Sequence, residues 1–124
     1  MSDSDELRNY VGRLMRAPEG GAFLIVMVAG GEDFLQMAVD GEAVQLDFPL
    51  VTDRQRGLEA KVRAVAAGEG LEVYETEGTD GALFLDMDMR KDADAVTRVC
   101  RTFLREVFGA GEEARLEFDS DGLG

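Results

Sequence analysis

The acidic run "LDMDMRKDAD", Leu85 to Asp94, holds the side chains of this sequence best suited to chemistry. Side chains at i and i+2 of a strand leave the same face, so Asp86 and Asp88 should stand side by side. Paired carboxylates suit a hard cation, which takes oxygen ligands. They also suit acid–base work when one of them keeps its proton. The spacing is not that of an EF-hand, because the glycine and the glutamate that such a loop needs are both missing. The plainer use of these residues is structural: Asp86 and Asp88 solubilise a strand, and Asp92 and Asp94 begin a helix. No metal ligand, cofactor site or catalytic residue is therefore assigned. "DSDG", Asp119 to Gly122, resembles the opening of a calcium loop without the residues to close it, and is expected to be an acidic tail.

Other reactive types are scarce. There is no histidine, which rules out Ser/His/Asp catalysis and removes the commonest general base and transition-metal ligand. Cys100 is the single cysteine. It falls on the apolar stripe of a helix, where a free thiol serves as a small hydrophobe. Gly30–Gly31 lies between two strands, whereas a phosphate loop needs a strand-to-helix turn.

The composition sets the frame for these residues. The chain has 124 residues, 45% hydrophobic and 31% charged, which suits one globular domain. Its 26 acids against 13 bases give a net charge of -13. Such a polyanion is repelled by phosphate backbones and anionic lipid, so neither nucleic acid nor membrane is expected as a partner. The longest apolar run, "AFLIVMVA", has eight residues, against roughly 20 for a membrane-spanning helix. The acidic start "MSDSDELRNY" lacks the basic and apolar regions of a secretory signal. A cytoplasmic location is expected, and an unpaired cysteine suits it.

The elements that position the carboxylates follow from periodicity. Residues 4–16 read as a helix with Leu7, Tyr10, Val11, Leu14 and Met15 on one stripe, Ser4 as cap, and Pro18 with Gly20–Gly21 as stop. "AFLIVMVA", residues 22–29, reads as a strand apolar on both faces, a pattern usually covered on both sides. Asp40–Gly41 gives a type I′ turn signal between alternating runs. A two-residue loop there pairs Leu35 with Leu46 and Met37 with Val44 on one face, and Gln36 with Gln45 and Ala38 with Ala43 on the other. Residues 53–67 form a second helix with a Thr52/Gln55 capping box and Gly68 at its end. Residues 71–77 and 82–89 form a second hairpin, and residues 93–108 a third helix, capped by Asp92 and stopped by Gly109. The expected fold is α+β: a mostly antiparallel five-stranded sheet with three helices in the order α-βββ-α-ββ-α, the helices on one face. Residues 1–109 make the single domain, and 110–124 are an acidic, Gly-rich C-terminal tail or a short added element.

The bases divide unevenly. Ten of the 13 fall in the helices, namely Arg8, Arg13, Arg16, Arg54, Arg56, Lys61, Arg63, Arg98, Arg101 and Arg105. The strands are expected to hold none, and their charges, including Asp47, Glu72, Asp86 and Asp88, are all acidic. The sheet face away from the helices should therefore be negative and carry Phe34, Gln36, Gln45, Asp47, Tyr74, Phe84, Asp86 and Asp88. Aromatics among acids and amides make a surface for a protein or peptide segment, a basic one by charge. The plainer alternative is a solvated face with scattered apolar groups.

The whole pattern resembles the type III secretion chaperone-like superfamily and the bacterial sensory-transduction-regulator proteins of the same fold. The resemblance spans Leu7 to Phe108. It rests on the element order, the acidic character, and the run "FLQMAVDGEAVQLDFPLV" leading into a helix and then "AAGEGLEV". It implies a non-catalytic homodimer that holds an extended or partly unfolded protein segment, as a chaperone-like or regulatory module. The short, Ala-rich second helix departs from the family pattern. Two rivals stand beside this reading. One is a small acidic metal-binding domain or enzyme using the strand carboxylates. The other is a subunit of a larger complex with the sheet face as its permanent interface.

Overall fold

Helix α1 (Asp3–Met15) forms because Leu7, Val11 and Leu14 recur at helical spacing, and all three are fully buried. The computed structural model describes residues 3–18, 21–111 and 113–124. The side chain of Ser4, expected as the cap, and Gly20 of the expected stop lie outside the described residues. Strands β1 (Phe23–Val28), β2 (Phe34–Asp40) and β3 (Ala43–Pro49) make an antiparallel meander. Two short helices follow, α2 (Asp53–Gly57) and α3 (Glu59–Gly68), then the hairpin β4 (Tyr74–Glu77) and β5 (Leu83–Arg90). Helix α4 (Ala93–Glu106) and strand β6 (Leu116–Asp121) complete the described order. The sheet is antiparallel throughout, with spatial order β4-β5-β3-β2-β1-β6.

One core lies between the helices and one sheet face. Leu24, Val26, Leu35, Met37, Val44, Leu46, Leu85 and Met87 supply the sheet side; Leu7, Val11, Leu14, Val96, Cys100 and Phe103 supply the helix side. Burying each large side chain is worth about 1.5–3 kcal/mol, so this face governs strand register. Phe48 packs on Phe103 with ring centroids 4.9 Å apart. Asp92 caps α4 as expected, its carboxylate accepting from the backbone N–H groups of Asp94 and Ala95 at 3.0 and 3.2 Å. The Thr52/Gln55 capping box forms at α2.

The α+β class and the antiparallel sheet agree with expectation, but the counts differ. There are four helices among the described residues, not three. The second predicted helix breaks at Leu58, whose N–H bonds to the carbonyl of Gln55 rather than that of Arg54. Gly57, a poor helix former, immediately precedes the break. The sheet has six strands among the described residues, not five, because residues 116–121 pair with β1 as β6. Leu116 and Phe118 pack against the core, and Tyr10 stacks on Phe118 with ring centroids 4.5 Å apart. The Gly124 N–H bonds to the Arg13 carbonyl at 3.0 Å. The acidic alternation of β6 conceals a strand with one apolar side.

The first hairpin also differs in detail. The observed pairs are Met37 with Leu46, Ala38 with Gln45 and Val39 with Val44. The loop is Gly41–Glu42, displaced by one residue from the expected Asp40–Gly41, and each residue faces a partner two positions further along. Gly41 has φ of 61° while no described non-glycine residue has positive φ, which defines a type II′ turn with glycine at its first central position. A two-residue displacement leaves every side chain on its expected face, since strand periodicity is two. Two charge assignments change as well. Arg90 is the last residue of β5, so the strands are not free of bases. Glu72 precedes β4 and is not a strand residue.

Candidate functional site

The sheet face opposite the helices is built from alternate residues of all six strands. One row crosses the entire sheet: Tyr74, Asp86, Asp47, Gln36, Ile25 and Asp119, from β4 to β6. A second row carries Asp88, Gln45, Ala38, Phe23 and Asp121. On the other side of the first lie Thr76, Phe84 and Pro49, with Phe34, Met27 and Glu117 on the far strands. Strands lie about 4.8 Å apart, so the face is about 24 Å across.

All eight residues expected on this face, Phe34, Gln36, Gln45, Asp47, Tyr74, Phe84, Asp86 and Asp88, lie on it. They concentrate on β2, β3, β4 and β5. Sequence reasoning omitted the β1 contribution, Phe23, Ile25 and Met27, each only half-buried. The available signal was the strand's double-sided apolar character. Leu24 and Val26 satisfy one side, and the described chain lays no helix over the other. It also omitted Glu117, Asp119 and Asp121, all exposed, because β6 had not been placed in the sheet. The face therefore has an apolar stripe on β1 and β2 between two acidic margins, one on β6 and one on β3 and β5.

The β3–β5 margin is highly ordered. The Gln45 amide donates to the Tyr74 hydroxyl at 2.9 Å, and that hydroxyl donates to Asp88 Oδ1 at 3.0 Å. Partial burial pushes the Tyr74 phenol upward, and its bond to Asp88 adds to the shift. Thr76 Oγ1 donates to Asp86 Oδ2 at 2.5 Å. Asp86 is only 3% exposed, and its Oδ1 has no hydrogen-bond partner. Directly across the strand pair stands Asp47. Burial, with the adjacent Asp86 carboxylate adding to it, raises its carboxyl from 3.8 to about 8. The raised value favours the protonated form of Asp47 at neutral pH. Neither carboxylate has a cationic partner among the described residues.

The remaining candidates are structural in character. Burial raises the Cys100 thiol to about 12, and its sulfur lies 3.4 Å from that of Met37 in the core. Asp92 and Asp94 begin α4, and Asp94 pairs with Arg8 of α1 at 2.5 Å. No group of three or more potential metal-ligating side chains converges among the described residues. The cavity lined in part by Leu7, Leu104, Ala110 and Leu116 holds about 50 Å³, and two clefts beside Arg90 at the end of β5 hold about 350 and 360 Å³. No helix among the described residues is long and apolar enough to cross a membrane. No protein-family model, curated protein or solved structure matches this chain.

Proposed function

We propose that this chain is a non-catalytic protein-binding module that receives an extended segment of another protein on its open sheet face. The observation that carries the reading is the half-buried stripe of Phe23, Ile25, Met27 and Phe34 between two acidic margins. Apolar anchors supply desolvation, and flanking carboxylates select a segment in which basic residues alternate with apolar ones. Gln36 and Gln45 add amides able to bond a partner's backbone. The chaperone-like or regulatory role, the homodimer and the cytoplasmic setting come from the resemblance and from the lone, buried cysteine. The resemblance is to the type III secretion chaperone-like superfamily.

Selection from a library of displayed random peptides tests this reading. Wild-type protein is expected to enrich peptides alternating Arg or Lys with large apolar residues. Ile25→Glu, which places a charge in the stripe without entering the core, is expected to abolish the enrichment. Failure of the folded wild-type chain to enrich any class, or equal enrichment by Ile25→Glu, overturns it.

A further inference from the structure

We propose that the exposed end of β5 receives the C-terminal carboxylate of the bound segment, which pairs as a short strand in the gap where β4 stops. The inference rests on the protein-binding reading above and names the part of the partner that is held. β5 runs from Leu83 to Arg90, but β4 pairs only with Leu83 to Asp86. The chain ahead of β4 does not continue the sheet. Gly70 stands at φ of 72°, and the Leu71 N–H turns back to the Ala66 carbonyl of α3 at 2.9 Å. The last residues of β5 therefore have a neighbouring strand on one side only, β3.

Hydrogen-bond alternation fixes which groups are left bare. The Leu50 N–H bonds to the Leu83 carbonyl, and the Gly78 N–H bonds to the Ala82 carbonyl. Odd-numbered residues of β5 thus bond toward β3 and even-numbered ones toward β4. Asp88 and Arg90 aim their backbone groups into the gap. The Arg90 carbonyl accepts from the Asp92 N–H at 2.8 Å. The Asp88 N–H, the Asp88 carbonyl and the Arg90 N–H have no partner among the described residues. The Arg90 guanidinium pairs with no described carboxylate. Beside them lies the cleft of about 360 Å³, within the roughly 300–1,000 Å³ of ligand sites.

Two backbone donors, one acceptor and a free cation fit the end of a chain better than its middle. In a segment parallel to β5, one carbonyl accepts from the Asp88 N–H, and the N–H two residues on donates to the Asp88 carbonyl. That last residue's carboxylate then accepts from the Arg90 N–H, with the Arg90 guanidinium beside it. A chain continuing past Arg90 would bring another N–H to a carbonyl that Asp92 already occupies. The reverse direction would set the carboxylate against Asp88 and Asp86. The last side chain leaves on the helix side, toward the apolar Leu71, Met89 and Val99 of the cleft. The residue before it stands on the open-face side beside Asp88, which suits a base. Since β4 begins at Tyr74, the upstream chain must turn out over the open face.

The experiment uses the whole chain and a nonapeptide alternating leucine with arginine, ending in leucine with a free carboxylate. The same peptide as its C-terminal amide should bind at least about tenfold more weakly. Arg90→Gln, on an exposed residue, should lower affinity for the free acid and leave that for the amide unchanged. In wild type, the free acid should slow exchange of the Asp88 and Arg90 amide protons, a readout that needs no variant. Equal binding of acid and amide, or unchanged exchange at both amides, overturns the carboxylate site while leaving the protein-binding reading intact. The tripeptide Leu-Arg-Leu binding as tightly as the nonapeptide would make this a site for free short peptides and overturn its assignment to a protein terminus. Absence of any binding by wild type overturns both readings.

Discussion

Asp47 places a titrating group where the strands meet, and its effect on stability has a definite sign. Its folded value, about 8, lies above its ordinary 3.8. The folded state therefore holds a proton that the unfolded chain has already lost. Stability from this group is fully present below about pH 4 and is lost as pH rises through about 8. Asp47→Asn should remove that slope and raise the urea midpoint at pH 9 more than at pH 5. Because the side chain is partly solvated, the difference should be on the order of 1 kcal/mol, well short of the full shift. An identical pH profile for both proteins would show that Asp47 does not titrate above its ordinary range. Cys100 is the contrasting case. Its thiol is raised to about 12 and wholly buried, so thiol reagents should label it slowly in native protein and readily in denaturant. Rapid native labelling would remove it from the core. Of these two residues, Cys100 was legible in sequence because helical periodicity assigns its face. The Asp47–Asp86 contact was not. It depends on which residue of β3 faces which of β5, and no local pattern carries that.

Among the elements, the hairpins show what alternation specifies and what it leaves open. Faces follow from a period of two, so Leu35, Met37, Val44 and Leu46 went to the core in the expected and the observed register alike. The turn depends on a choice between two similar loops, Asp40–Gly41 and Gly41–Glu42, and the chain adopts the second. Gly41 thus stands at positive φ of 61°, and Gly41→Val should destabilise the protein by about 1–3 kcal/mol. A melting midpoint unchanged by that substitution would contradict the type II′ turn. Strand β6 was concealed for a different reason: its exposed acids, Glu117, Asp119 and Asp121, read as a tail, while Leu116 and Phe118 are too few to reveal a strand. Its attachment combines six residue pairs with β1 and Tyr10 stacking on Phe118. Phe118→Ala should therefore loosen β6 and raise amide exchange along the β1 edge, leaving the β4–β5 hairpin protected. Uniform loss of protection across the sheet would instead mean that β6 is integral to the global unfolding unit.

For the molecule as a whole, charge separates two uses of the open face. The net charge is -13, and both margins of the apolar stripe are acidic. Two copies meeting through this face in a twofold contact would bring like surfaces together. Such a dimer should be repelled at low salt and strengthen as salt screens the carboxylates. A basic segment on the same face should behave oppositely, binding faster and tighter at low salt. A homodimer built instead on the exposed Ala60, Ala64 and Ala67 side of α3 meets no comparable wall of acids. Its association should change little with salt, and it would leave the sheet face free in both copies. Sedimentation at micromolar concentration across a salt series therefore identifies the contact. Association strengthening with salt and blocked by Ile25→Glu assigns the open face to a second copy and displaces the basic-segment reading. Association indifferent to salt and blocked by Ala64→Glu assigns the α3 contact. In that case the triple variant Asp47→Asn, Asp86→Asn, Asp88→Asn should bind a basic peptide more slowly and with a flatter salt dependence, its dimerisation unchanged. A monomer at every salt concentration removes the homodimer from the proposal.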